Sequence, residues 1–254
     1  MEAFSSKEPK RQKFALFVLD DIVEHLGPAY FSEEDFSQIV QTVCNFVNNK
    51  TSSIRQAASY GIGVVAQHSG SAFKVNCQAC LVALKTGIEM EPTAKVTEKK
   101  IKLTQFHHAR DNAIASLGKV LKHQNENLDA QTCSEMIQYW LKLLPIKHDI
   151  EEAQMQYDFL ADFVLQRLET LCGANPVGVA EQLAVIFGDC FNIKFFDDKE
   201  PAQAATKLKI ANSVRYLMDQ AGSPVSETFR QKCEGLEAKH KQNIENAYVY
   251  QGPG

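Results

Sequence analysis

The stretch "SIRQAASYGIGVVAQHSG", residues 53–70, carries the decisive contradiction of this chain. Its apolar residues recur at the three- and four-residue spacing of a helix, yet Gly61 and Gly63 fall in the middle. Each glycine costs a helix about 1 kcal/mol relative to alanine. A helix that keeps both must gain something from having no side chain there. Ala57, Ala58 and Ser59 extend the same small-residue character. The stretch therefore reads as a helix squeezed between neighbours, where close backbone approach offsets poor propensity.

The rest of the chain is helical in the same way. "KFALFVLDDIVEHLG" (13–27) is apolar at three and four and is stopped by Gly27-Pro28. "SEEDFSQIVQTVCNFVNN" (32–49) opens on a Ser32 cap with acids in its first turn. Further helical runs are 71–90, 105–123, 129–144, 149–173, 175–192 and 200–222, with at least one more in the last thirty residues. Nothing with a strand period competes. The expectation is an all-α chain of about ten helices joined by short turns, hence antiparallel neighbours.

These helices repeat. Setting Arg55 on Arg110 places Ala58 on Ala113, Ile62 on Leu117, Gly63 on Gly118 and Val65 on Val120, an offset of 55 residues. Setting Arg11-Gln12 on Arg55-Gln56 gives an offset of 44. A unit of about 40–47 residues built from two helices is the period of HEAT-type repeats. The longer second offset implies an insertion, and the polar stretch 91–104 supplies it as a loop. The fold expected over 1–254 is one α-solenoid of helix pairs, with Arg55, Ala58, Gly61 and Gly63, and Arg110, Ala113 and Gly118, as repeat-packing positions.

Composition narrows the function. The net charge of −4 argues against a general nucleic-acid binder. No apolar run approaches the length that spans a bilayer, so no membrane role is expected. The seven cysteines are irregularly spaced, which suits reduced thiols. Cys77-x-x-Cys80 stands alone without a second pair, so it reads as two small buried side chains. His107 and His108 are adjacent and point to different helix faces; no metal-ligand spacing accompanies them. The expectation is no enzyme, no cofactor and no metal.

At this point three segments resemble a known family. "IRQAASYGIGVVAQHSG" (54–70), "ARDNAIASLGKVLK" (109–122) and "YWLKLLPIKHDIEEAQMQYDFLADFV" (139–164) resemble the C-terminal HEAT repeats of importin-β (karyopherin-β) nuclear transport receptors. The branch most similar is the one that imports ribosomal proteins and histones, and "FVLDDIVEHLGP" (17–28) resembles the helix before those repeats there. The likeness covers about residues 14–165. It implies a receptor fragment that binds basic protein cargo on its concave surface of second helices. It also implies that Phe-Gly nucleoporins bind the outer surface. Ran GTPase would act on the intact receptor, mainly through N-terminal repeats, and the protein would shuttle between cytoplasm and nucleus. The alternative is a HEAT scaffold subunit of a signalling or chromosome complex.

The charge distribution suggests where cargo would bind. Residues 151–200 hold ten acids against three bases. Glu151, Asp158, Asp162 and Glu169, at spacings of seven, four and seven, form one stripe on a regular helix. Asp20, Asp21 and Glu24 form a smaller cluster on another second helix. Both are candidate cargo contacts; the bland alternative is a solvated face.

Overall fold

The computed structural model describes residues 3–192 and 195–253, and among these there are twelve α-helices and no strand. The two helices beyond the expected ten have simple origins. One is a single turn inside the stretch 91–104, and the last thirty residues hold two helices. The packing resolves into two compact units, Met1–Cys133 and Ser134–Gly254.

The first unit contains α1 (Pro9–Leu26), α2 (Glu33–Val47), α3 (Ser52–His68), α4 (Cys77–Glu89), the single-turn α5 (Ala94–Thr97) and α6 (Lys100–His123). Helices α2 and α3 make one hairpin pair, and α4 and α6 the next. Helix α1 occupies the second-helix position of a pair ahead of them: α3 packs against α1 on one flank and α6 on the other, while α2 packs against α4. Ser32 caps α2 reciprocally with Asp35: the Asp35 N–H donates to Ser32 Oγ and the Ser32 N–H to Asp35 Oδ2. Leu16, Val43, Ile54, Ile62, Phe73 and Val120 lie in the core between these layers.

Arg55 and Arg110, matched by the repeat, do the same job twice. A helix leaves its last carbonyls unpaired and carries partial negative charge there. Arg55, near the start of α3, donates from one guanidinium nitrogen to the carbonyl oxygens of Asn49 (2.8 Å) and Lys50 (3.4 Å), just past α2. Arg110 Nε donates to Ile88 O at the end of α4 (3.1 Å). Each arginine thus ties the beginning of a second helix to the end of its first. Arg55 also stacks over the Phe106 ring of α6 at 5.1 Å.

The inserted stretch 91–104 is not loop throughout. It holds α5, and from Lys100 it is the beginning of α6, which has 24 residues against 17 in α3. None of residues 91–104 is buried. The insertion therefore lengthens a second helix outward and leaves Ala113 and Gly118 among buried positions.

The second unit contains most of α7 (Ala130–Leu143), then α8 (Ile150–Cys172), α9 (Pro176–Cys190), α10 (Pro201–Asp219), α11 (Pro224–Glu234) and α12 (Ala238–Val249). Second helices again form a row, α8 on α10 and α10 on α12, while α9 packs on α11. Glutamines take over part of the arginine role. Gln182 Nε2 donates to Leu141 O and Leu144 O at the end of α7, and Gln138 Nε2 to Leu171 O at the end of α8. Trp140 is fully buried and donates from Nε1 to Gln156 Oε1 (3.1 Å). Helix α8 is interrupted at Arg167, whose backbone is not helical.

Two outcomes check this packing. Gly63→Leu should destabilise the protein by about 1–3 kcal/mol or more, because a Cβ alone at this site meets Lys119 Cδ at 2.8 Å and Ser116 Oγ at 2.9 Å. An unchanged thermal midpoint would refute the tight-packing account. Limited trypsin digestion should cut first at the exposed Lys95, Lys99 and Lys100; protection of these sites would contradict the exposure of the insertion.

Candidate functional site

The two glycines are where the second-helix row of the first unit closes up. A Cβ on Gly61 would collide with Asp20 Oδ1 of α1 and stand 3.1 Å from Val43 Cγ1 of α2; one on Gly63 would collide with Ser116 and Lys119 of α6. The approach brings polar groups together across the row. Ser116 Oγ donates to Ser59 O (2.6 Å), and Gln124 Nε2 to Ala66 O (2.5 Å). Nearer the solvent, the Tyr60 hydroxyl donates to Glu24 Oε2 (3.3 Å), and the Lys119 ammonium lies over the Tyr60 ring at 4.6 Å. Glu24, Tyr60 and Lys119 thus form a cross-tie over three successive second helices.

The structure separates the Asp20, Asp21 and Glu24 cluster into unlike members. Asp21 and Glu24 are exposed. Asp20 is only 3% exposed, and its Oδ2 has no hydrogen-bond partner. Burial, with the Asp21 and Glu24 charges beside it, pushes its carboxyl up to about 8. At neutral pH Asp20 is therefore mostly protonated, and it contributes packing against Gly61 rather than negative field.

The stripe on α8 also divides. Asp158 and Asp162 are half-buried and face α10, where Lys209 Nζ bridges them at 2.8 and 3.1 Å. Thr206 Oγ1 donates to Asp158 as well (3.1 Å). Burial works against the Lys209 charge, but its bonds to the two carboxylates outweigh that and raise its pKa. Glu151 and Glu169 are exposed, and Glu169 follows the break at Arg167, so the four acids do not continue one regular stripe. The sequence reading missed Lys209 and Thr206, 47 to 51 residues from their partners. The only signal was a lysine and a threonine on a later second helix, which spacing within α8 cannot reveal.

Most of the buried thiols are held protonated. Burial pushes Cys77 up to about 11 and Cys233 to about 12, and Cys80, hydrogen-bonded with Cys44 and buried, is raised well above the ordinary thiol range. Among the described residues no three or more His, Cys, Asp or Glu side chains gather as metal ligands, and no helix is long and apolar enough to cross a membrane. The second unit carries an open, mainly apolar groove of about 450 Å³, lined by Met218, Arg230, Ile244, Tyr248 and Val249.

Comparison with known proteins finds curated relatives among the importins. The chain is 28% identical to importin subunit beta-3 of Saccharomyces cerevisiae over 173 residues, which is 67% of this chain and 14% of that protein. It is 27% identical to a probable importin-5 homolog of Dictyostelium discoideum over 135 residues, 53% of this chain and 12% of that protein. The matches thus span about one seventh or less of the relatives' length. No family model matches. A crystal structure of an engineered protein overlaps 97% of the chain at a TM-score of 0.44 and 13% identity, too slight a likeness to inform function.

The buried acid makes a pH prediction. Asp20 has its folded pKa raised from 3.8 to about 8, so its stabilising contribution is full below about pH 4 and is lost as pH rises through 8. Urea midpoints of the parent should fall relative to those of Asp20→Asn between pH 5 and pH 9, with the variant ahead at the alkaline end. Parallel profiles would show that Asp20 ionises freely.

Proposed function

We propose that this chain is part of an importin-β-type nuclear import receptor, of the branch that imports ribosomal proteins and histones. The observation that carries the proposal is the similarity to importin subunit beta-3 over 67% of the chain. The all-α helix pairs with tightly packed second helices agree with it. Binding, not catalysis, is the activity: acids on the second-helix face meet lysines and arginines of a basic protein cargo. Phe-Gly nucleoporins and, in a full-length receptor, Ran GTPase complete the partner set, and the protein shuttles between cytoplasm and nucleus.

The side-chain geometry ranks the candidate cargo contacts. Asp21, Glu24, Glu151 and Glu169 are exposed and supply the field a basic segment meets first. Asp158 and Asp162 are held by Lys209, so a cargo lysine reaches them only by displacing an existing partner. Asp20 is a packing residue here. The groove lined by Met218, Ile244, Tyr248 and Val249 is the candidate seat for a nucleoporin phenylalanine, since it is apolar and open.

The test measures binding of a fluorescent lysine-rich histone-tail peptide and of a Phe-Gly repeat peptide. The joint variant Asp21→Asn, Glu24→Gln, Glu151→Gln, Glu169→Gln should fold normally, because no buried residue changes. It should lose at least tenfold in affinity for the histone peptide at low salt, about 1.4 kcal/mol, and salt should weaken the parent in the same direction. Unchanged affinity would dismiss the acids as a solvated face. Failure of the parent to bind the Phe-Gly peptide would favour the scaffold reading over the receptor.

A further inference from the structure

We infer that Cys44 and Cys80 are a paired modification site: a low-molecular-weight disulfide such as oxidised glutathione converts them to a disulfide that fastens α2 to α4. The two helices pack side by side within the first unit. Two contacts fix their register and show that they run parallel. Near the start, Asn76 Nδ2 at the head of α4 donates to Ser37 Oγ of α2 (3.0 Å). Near the end, a Cβ on Gly87 would stand 2.9 Å from Val47 Cγ1. Between these anchors the Cys80 thiol donates to the Cys44 sulfur. Ser37, Cys44 and Val47 share one face of α2 at spacings of seven and three, and Asn76, Cys80 and Gly87 share one face of α4 at spacings of four and seven. A disulfide needs its two Cα atoms within about 7 Å, and the axes of helices joined through bulky side chains stand farther apart. Here the α4 face carries Cys80, Ala83 and Gly87, so the backbones approach through small groups.

The two thiols differ in the way an exchange reaction uses. Cys80 is fully buried, and the hydrogen bond it donates, together with burial, keeps it protonated. Cys44 is half-buried, and the same bond favours its thiolate and holds its pKa below the ordinary thiol value. The thiolate is the attacking species, so Cys44 reacts first. Its sulfur attacks one sulfur of oxidised glutathione; a protein–glutathione disulfide forms and one glutathione leaves as thiolate. That thiolate takes the Cys80 proton, and the Cys80 sulfur then attacks the Cys44 sulfur and expels the second glutathione as thiolate. Two protein thiols are oxidised and one glutathione disulfide is reduced. Cys77 lies one turn before Cys80, and burial holds its thiol up at about 11, so it does not compete as the first nucleophile. The product ties the first helices of two successive helix pairs and fixes their spacing. The inference does not depend on the transport reading.

Peptide mapping of the whole 254-residue chain tests it. The folded chain is equilibrated with oxidised glutathione, its remaining thiols are blocked by alkylation, and the monomer band of a non-reducing gel is digested with trypsin. The expected product joins residues 14–50, which hold Cys44, to residues 75–85, which hold Cys77 and Cys80. Fragmentation should place the bond at Cys80, and dithiothreitol should remove it. Cys77→Ala should keep the cross-link, whereas Cys44→Ala should lose it with its circular dichroism unchanged. A parent chain that keeps both thiols free in oxidised glutathione would overturn the proposal, and so would glutathione retained on Cys44 without a cross-link. A bond from Cys44 to Cys77, or one between Cys77 and Cys80, would overturn it as well.

Discussion

At Gly61 and Gly63 two neighbouring helices come so close to α3 that one methyl group has no room. Everything polar that crosses the second-helix row of the first unit depends on that approach. Ser116 reaches the Ser59 carbonyl, Gln124 reaches that of Ala66, and Lys119 covers the Tyr60 ring only because the backbones are near. The cost of two glycines in a helix is about 2 kcal/mol if the effects add. It is offset by burial along almost all of α3, including Ile54, Ile62 and Val65, at most 1% exposed. Enlarging the interface residues would separate the helices and break the hydrogen bonds with them.

Across each row the same solution recurs with different chemistry. Glu24, Tyr60 and Lys119 tie α1, α3 and α6, while Asp158, Asp162 and Lys209 tie α8 and α10. Neighbouring helices are joined by side chains that cap carbonyl ends, Arg55 and Arg110 in the first unit, and Gln138, Gln182, Arg215 and Arg230 in the second. These ties leave the apolar core to set stability and the polar groups to set register. A half-buried carboxylate pair that already holds a lysine is also a different object from an exposed acid. The first is satisfied, and any incoming cation must compete for it; the second is only screened by salt.

Much of this was legible in the sequence, for reasons tied to particular residues. The three- and four-residue spacing revealed helices because a helix shows its period over a dozen residues. The glycines of α3 signalled close packing because no local preference explains them. Arg55 and Arg110 were found as repeat marks, although their role as carbonyl ligands needed the turn that brings Asn49 and Ile88 within reach. The acids were harder. Spacing on α8 placed Asp158 and Asp162 on one face but could not say that Lys209 stands opposite. Asp20, Asp21 and Glu24 look alike in sequence, and only the packing of Asp20 against Gly61 separates a neutral buried acid from two exposed ones. The break at Arg167 carries no proline or glycine to announce it.

The unlike acids also bear on how a binding surface can coexist with a tight row. Were Asp20 ionised, three carboxylates would crowd one turn and a half of α1, and their repulsion would oppose the contact with α3. Protonating Asp20 lets α1 approach Gly61, while Asp21 and Glu24 lie on the exposed side. In the second unit Lys209 does the equivalent work by neutralising the acids nearest to α10 and leaving Glu151 outward. Charge is thus removed where helices meet and left on the solvent side. That division is what a surface needs if it is to attract basic segments without loosening its own packing.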